Sequence, residues 1–170
     1  TSPFAFTGNK FEFRAVGSSA NCAAPMTVLN TIMCDALTQF KTDVDALIDK
    51  GEKKEIALMQ IIQRYIVESK KILFEGDGYS EAWAKEAEKR GLPNVKTTPL
   101  ALDAFVTDSA KKLFEDFNIY TKKELEARHE IQLENYTKKL QIEARIIGDL
   151  ASTYSLPPAI KYQNVLLENR

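Results

Sequence analysis

The sequence has few of the residues that bind metals or form cross-links: among its 170 residues are two cysteines and one histidine. Cys22 and Cys34 lie among small or apolar residues, without a further cysteine pair or a histidine cluster nearby, which argues against a zinc site. No secretory pattern of charged, apolar and small residues opens the chain, so export is not indicated. We therefore expect two free thiols and a cytoplasmic location, where thiols stay reduced.

An excess of charge of one sign and a long apolar run are also absent. Lys and Arg number 23 against 24 Asp and Glu, a net charge of -1, so no overall basic field attracts nucleic acid. No uncharged apolar stretch is long enough for a membrane span. We expect neither nucleic acid nor membrane as a partner, and the 44% apolar and 28% charged composition predicts one globular body.

The first residues predict a short β arm. From residue 4 to residue 14 the sequence alternates about a turn at residues 7–9, which is typical of strands. On the second strand Phe11 and Phe13 share one face. Three charged residues share the other face: Lys10, Glu12 and Arg14.

Beyond a small polar loop the apolar residues recur at helical spacing. Pro25 fits the first turn of a long helix that Gly51 ends, and a second helix is predicted over residues 53–74. Ser80 is suited to capping a short helix that runs to Arg90. The middle of the chain is therefore predicted to be helical as well.

The last part of the chain predicts the longest helix. Asp108 is expected to cap a helix that runs to about residue 117, and Thr121 with Glu124 has the pattern of a capping box. The helix that this box opens is predicted over residues 122–154, before the pair Pro157–Pro158 ends it. The predicted fold class is mainly α: a bundle of long antiparallel helices with a short N-terminal β arm.

The charged face of the second strand is the candidate site. Glu12 between Lys10 and Arg14 places one carboxylate between two cations, which suits a divalent metal ion and the phosphate or carboxylate oxygens around it. An alternating charged face is also common on strands that are simply solvated. The spacing alone leaves both interpretations open.

Residues 9–21, with the sequence NKFEFRAVGSSAN, resemble the last active-site segment of glutamine synthetases, and the type III branch of that family has nearly the same stretch. The resemblance extends over the whole chain, through TSPFAFTG at residues 1–8, GDGYS at 76–80 and KEAEKRGLP at 85–93. It implies that residues 1–21 end a catalytic β domain and that residues 22–170 form a C-terminal helical domain. Both ends of the sequence look cut from a longer chain, since it begins without Met and stops within a helical pattern.

The resemblance implies ATP-dependent ligation of ammonia to glutamate through a γ-glutamyl phosphate, in a homo-oligomer. Glu12 would be a ligand of Mg²⁺ or Mn²⁺, and Arg14 would be catalytic, holding the transferred phosphoryl group or the substrate carboxylate. Lys10 stands where many other members have an arginine that contacts a nucleotide phosphate. The resemblance therefore implies nucleotide binding by Lys10, although the residue type departs from the wider family pattern. The other site residues would lie upstream of Thr1, so the fragment alone is expected to be inactive.

Two other functions fit the same residues. The chain could be a free-standing helical interaction module without catalysis, whose strand arm pairs with the sheet edge of a partner. It could also belong to another ATP-dependent carboxylate–amine ligase with a different amine acceptor. His129 is expected to be a structural, hydrogen-bonded histidine rather than a ligand.

Overall fold

The computed structural model describes residues 20–169 with their side chains, and residues 4–6 and 11–13 by their backbone alone. The contacts within the chain divide it into two compact units, Thr1–Val95 and Lys96–Arg170. The predicted boundary after residue 21 stays a prediction.

The first unit opens with two short strands. β1 (Phe4–Phe6) pairs with β2 (Phe11–Phe13) in antiparallel register. Phe4 lies opposite Phe13, Phe6 opposite Phe11, and Ala5 opposite Glu12.

Two long helices follow as an antiparallel pair. α1 (Ala23–Ile48) and α2 (Lys54–Ser69) are joined at Gly51, whose φ of +96° favours glycine because it has no Cβ. The predicted end of the first helix is therefore confirmed. The second helix is shorter than predicted, since a 3₁₀ turn (Lys70–Ile72) replaces its last part and the backbone is extended at Leu73.

The core of this pair forms where the two helices face each other. Val44 of α1 meets Ala57 and Ile61 of α2, and all three are buried. Phe40 and Tyr65 close one end of this core edge to face, with ring centroids 5.6 Å apart. Burying one such aliphatic side chain contributes about 1.5–3 kcal/mol.

A short helix completes the first unit. α3 (Glu81–Lys89) begins as predicted, since the Ser80 hydroxyl accepts a hydrogen bond from the Trp83 N–H at 3.2 Å. It ends at Gly91, which has a φ of +71°, while the Leu92 N–H donates to the Ala87 carbonyl at 2.9 Å.

The second unit begins with three short helical elements. They are α4 (Thr98–Leu102), a 3₁₀ turn (Asp103–Val106) and α5 (Asp108–Asp116). The prediction that Asp108 caps its helix was wrong. Thr107 has the extended backbone of a capping residue, and its hydroxyl accepts from the Ala110 N–H at 3.3 Å.

α6 (Lys122–Leu150) begins with the predicted capping box. The Glu124 N–H donates to the Thr121 hydroxyl at 3.3 Å, and the Thr121 N–H donates to the Glu124 carboxylate at 2.8 Å. Leu125, in the first turn, has no exposed surface, and Phe114 of α5 is only 2% exposed. These two side chains are the most deeply buried of this unit.

The predicted end of the longest helix was wrong. α6 ends at Leu150, a π-helical turn (Ala151–Ser155) follows, and α7 (Leu156–Glu168) continues the helical path. Pro157 and Pro158 lie in the first turn of α7, directly after the π-helical turn, and proline is suited to the first turn of a helix. The mainly α fold class is confirmed, and no helix among residues 20–169 is long and apolar enough to cross a membrane.

Candidate functional site

The predicted catalytic strand is described only in part. Glu12 lies in β2, and its backbone is in register with Ala5. Lys10, Arg14 and the side chain of Glu12 lie outside the described residues. Their roles in binding metal, nucleotide and phosphoryl groups therefore stay predictions.

The helical residues add no cation site. Within residues 20–169 no three carboxylate, histidine or cysteine side chains stand close enough together to hold a metal ion. Mg²⁺ prefers six oxygen ligands in an octahedron, and a single carboxylate at residue 12 supplies at most part of that set. The ligand chemistry of Glu12 suits the ion, but the full set would need further carboxylates.

Arg90 lies in the second of the two stretches that carry the resemblance in the first unit, and it binds the segment that follows α2. Its Nη1 donates to the carbonyl oxygens of Leu73 at 2.7 Å and Lys71 at 3.3 Å, and its Nε donates to Glu86 at 2.7 Å. The hydrogen bond from Arg90 lowers the pKa of the Glu86 carboxyl. The guanidinium therefore fastens α3 to the segment that follows α2.

An aromatic stack lies under this guanidinium. The Phe74 and Trp83 rings are 4.3 Å apart and nearly parallel, at 25°, and the Arg90 guanidinium carbon lies 5.5 Å from the Trp83 ring. A Cβ added at Gly76 would lie 2.7 Å from Phe74 Cζ, so any larger residue there would displace the ring. The stack explains why glycine occupies position 76.

A cleft of about 360 Å³ lies beside the stack, between residues 78 and 94. Tyr79, Trp83 and Leu92 supply its largest side chains, and Ser80, the helix cap, also lines it. The Ser80 hydroxyl already donates to Asp77 O at 2.7 Å and accepts from Trp83. No charged group lines this cleft, so it does not have the character of a phosphate site.

A second polar cluster joins α1 to α2. Asp43 accepts hydrogen bonds from Arg64 and, at 2.8 Å, from the Tyr65 hydroxyl. The hydrogen bond to Asp43 raises the pKa of Tyr65, since the carboxylate stabilises the protonated phenol. This cluster fixes the register of the two helices.

The second unit has polar contacts of the same kind. Lys111 pairs with Glu126 at 2.7 Å, the Arg128 guanidinium carbon lies 4.4 Å from the ring centre of Tyr120, and His129 is hydrogen-bonded to Asp103 at 3.0 Å. His129 is thus the structural histidine that was expected. Each of these contacts joins α6 to a residue earlier in the unit.

The polar contacts described for residues 20–169 join one part of a helical unit to another. Sequence reasoning missed the roles of Arg90 and Gly76, although both lie within the stretches that carry the resemblance. Their position in those stretches was the available signal.

Comparison with known proteins shows which sequences this chain is similar to. A family model described as the glutamine synthetase C-terminal domain matches residues 57–170. A glutamine synthetase of Bacteroides fragilis (strain YCH46) is 49% identical over 169 residues, which is 99% of this chain and 23% of the relative. A type-3 glutamine synthetase of Dictyostelium discoideum is 42% identical over the same shares of the two chains.

A glutamine synthetase of Butyrivibrio fibrisolvens is 37% identical over 155 residues, covering 88% of this chain and 21% of the relative. The chain thus spans less than a quarter of the length of the curated relatives it matches.

Proposed function

The chain belongs to the glutamine synthetase family and corresponds to the C-terminal part of a type III member; from this premise we propose that the complete protein joins ammonia to glutamate at the expense of ATP. The observation that carries the proposal is the match to two glutamine synthetases over 99% of the chain, including the strand of Glu12. A cytoplasmic location belongs to the same proposal.

The proposed reaction has two steps. The γ-carboxylate of glutamate attacks the terminal phosphorus of ATP, which forms γ-glutamyl phosphate and releases ADP. Ammonia then attacks the acyl carbon, phosphate leaves with the bonding electrons, and the surplus proton of the nitrogen passes to a base or to water. Charge accumulates on phosphoryl and carbonyl oxygens in both steps, so catalysis needs cations held in place beforehand.

The β2 strand would supply part of that charge. Glu12 would bind Mg²⁺ or Mn²⁺, and such an ion neutralises phosphate oxygens when it is bound. Arg14 would hold the transferred phosphoryl group with two parallel hydrogen bonds, which a lysine cannot reproduce. Lys10 would contact the nucleotide phosphates as a point charge.

The helices would have a structural role in this proposal. Residues 20–169 supply no cation site, and their charged side chains bind one another across helices. They would support the catalytic strand and the contacts of a homo-oligomer. We therefore expect the 170-residue chain alone to form no glutamine.

The proposal is tested in the complete polypeptide with Glu12→Ala and Arg14→Lys, by glutamine formation across Mg²⁺ and Mn²⁺ concentrations. Loss of one charge contact to the reacting oxygens is expected to lower kcat by about 10²- to 10³-fold. Glu88→Ala, at an exposed site on α3, is the matched control and should keep full activity. Unchanged activity and metal dependence in Glu12→Ala would remove this residue from the site.

The choice of amine is tested in the same assay. Ammonia is replaced by primary amines of increasing size at a fixed glutamate concentration. Faster product formation with an organic amine than with ammonia would favour the other carboxylate–amine ligase.

A further inference from the structure

The helical path at the end of the second unit has a break in its backbone hydrogen bonds. α6 ends at Leu150, a π-helical turn occupies Ala151–Ser155, and α7 begins at Leu156. Sharp changes of direction in helices occur mainly at prolines and at π-type turns, and here one directly follows the other. Residues 148–158 are named the α6–α7 joint.

The hydrogen-bond pattern changes inside the joint. The Ala151 N–H still donates to the carbonyl oxygens of Ile147 and Gly148, as the end of an α-helix requires. The Leu156 N–H instead reaches five residues back, to the Ala151 carbonyl. The Ser152 carbonyl, four residues before Leu156, therefore loses the donor that an α-helix would give it.

Two prolines remove the next donors. The Thr153 carbonyl would accept from residue 157 in an α-helix and from residue 158 in a π-helix, but both residues are proline and have no N–H. The Ser152 carbonyl meets Pro157 at the π-helical distance as well. Two successive carbonyls thus have no backbone donor in either helical pattern.

The residues before the prolines weaken the helix further. The Ser152 hydroxyl donates to the Asp149 carbonyl at 3.2 Å, a side-chain contact that competes with the backbone ladder. Gly148, in the last turn of α6, is the least favourable residue type in a helix interior after proline. Neither a positive φ nor a close contact requires glycine there, since an added Cβ would meet nothing within 4 Å.

Packing within the described residues does little to fix the direction of α7. Every residue from 137 to 169 is exposed. The buried side chains of Phe114 and Leu125 lie in α5 and in the first turn of α6, at the other end of the long helix. Within residues 20–169, the backbone of the joint therefore sets the angle between α6 and α7.

We propose that the α6–α7 joint is a hinge, at which α7 changes its direction relative to α6. A bend at Ser152 and Thr153 breaks no backbone hydrogen bond beyond those that the prolines have already removed, whereas a bend within α6 would break intact ones. The motion carries the 13 residues of α7 and leaves the core of the unit undisturbed. The hinge goes beyond the proposed function and does not rest on it.

The test measures distances across the joint in the complete polypeptide by double electron–electron resonance. Its cysteines, with the exposed Cys22 and Cys34 among them, are first replaced by serine. Spin labels are then attached at Glu143→Cys and Lys161→Cys, and labelled chains are diluted with unlabelled ones so that only distances within one chain are read. A straight helix would separate these two Cα atoms by about 27 Å, and a bend of about 60° would reduce the separation to about 23 Å. We expect a broad distribution that extends below the straight-helix value.

A second pair of labels inside α6 is the matched control. Lys123→Cys and Gln141→Cys are both exposed, stand the same number of residues apart and have no proline between them. Their distances should form a narrow distribution near 27 Å. A distribution across the joint that is as narrow as this control would overturn the hinge.

The cause of the hinge is tested by restoring the missing donors. The double variant Pro157→Ala with Pro158→Ala supplies two N–H groups and should narrow the distribution across the joint to the width of the α6 control. Pro93→Ala, at an exposed site outside the joint, should leave the distribution broad. Circular dichroism compares the helix content of the variants, so that unfolding is recognised. Equally broad distributions with and without Pro157 and Pro158 would overturn the proposal.

Discussion

Gly76 allows a sharp test of the aromatic stack in the first unit. An alanine Cβ at this position would lie 2.7 Å from Phe74 Cζ and 2.8 Å from Cε1, whereas a Cβ at Gly78 would meet nothing within 4 Å. Neither glycine has a positive φ, so alanine is allowed by the backbone at both sites. The two substitutions therefore differ in the ring contact alone.

The expected magnitudes follow from that difference. Replacing Gly by Ala at a permissive site stabilises a protein by about 0.4–1 kcal/mol, because the unfolded chain loses freedom. In Gly76→Ala the Phe74 ring must leave the Trp83 face, which removes a stacking contribution of about 0.5–1.5 kcal/mol. It also disturbs the cation–π contact of Arg90, which is another contribution of about 0.5–1 kcal/mol. We expect Gly76→Ala to be about 1–2 kcal/mol less stable than Gly78→Ala.

The measurement is urea unfolding of the 170-residue chain followed by tryptophan fluorescence. Trp83 is the single tryptophan of the sequence and is itself a member of the stack, so its emission reports the local environment before unfolding as well as the transition. Gly76→Ala should change the native emission spectrum, and Gly78→Ala should not. Equal stabilities and identical spectra for the two variants would refute the argument from the ring contact.

Three further predictions concern the second unit. Leu125→Ala should destabilise the chain by about 2–5 kcal/mol, because Leu125 has no exposed surface. Its control, Leu100→Ala at a 63% exposed site, should change the stability by no more than about 0.5 kcal/mol when both variants are compared by thermal unfolding. Thr121→Ala should lower the free energy of unfolding by about 1 kcal/mol through loss of the cap. Thr97→Ala should lower it less, because Thr97 makes no capping hydrogen bond. Equal losses of stability would contradict the capping assignment. The hydrogen bond from the backbone N–H of Thr121 lowers the pKa of Glu124 below its ordinary value near 4.5. The wild type should therefore be more stable than Glu124→Gln above pH 4.5, and this advantage should disappear as the pH falls through the folded-state pKa. A stability difference that is constant with pH would exclude this cause.

Much of the helical architecture could be predicted from local signals. The capping box at Thr121, the cap at Ser80 and the glycine at position 51 act on the few residues beside them, so their identity is sufficient to predict where helices begin and end. The prediction of Asp108 as a cap failed because the neighbouring Thr107 is also a good capping residue, and the backbone conformation decides between them. The pair Pro157–Pro158 predicted an end, but proline is equally suited to a first turn, and the structure has the latter.

The sequence by itself determined the mainly α class, the family resemblance and the residues proposed for catalysis: Lys10, Glu12 and Arg14. Only the tertiary structure decided what joins distant parts of the chain. It brought Arg90 to the carbonyls of residues 71 and 73, and Asp43 to Arg64 and Tyr65. The physical reason is range: caps and periodicity act within a few residues, whereas these partners are 17 to 22 residues apart and meet only after the helices have packed.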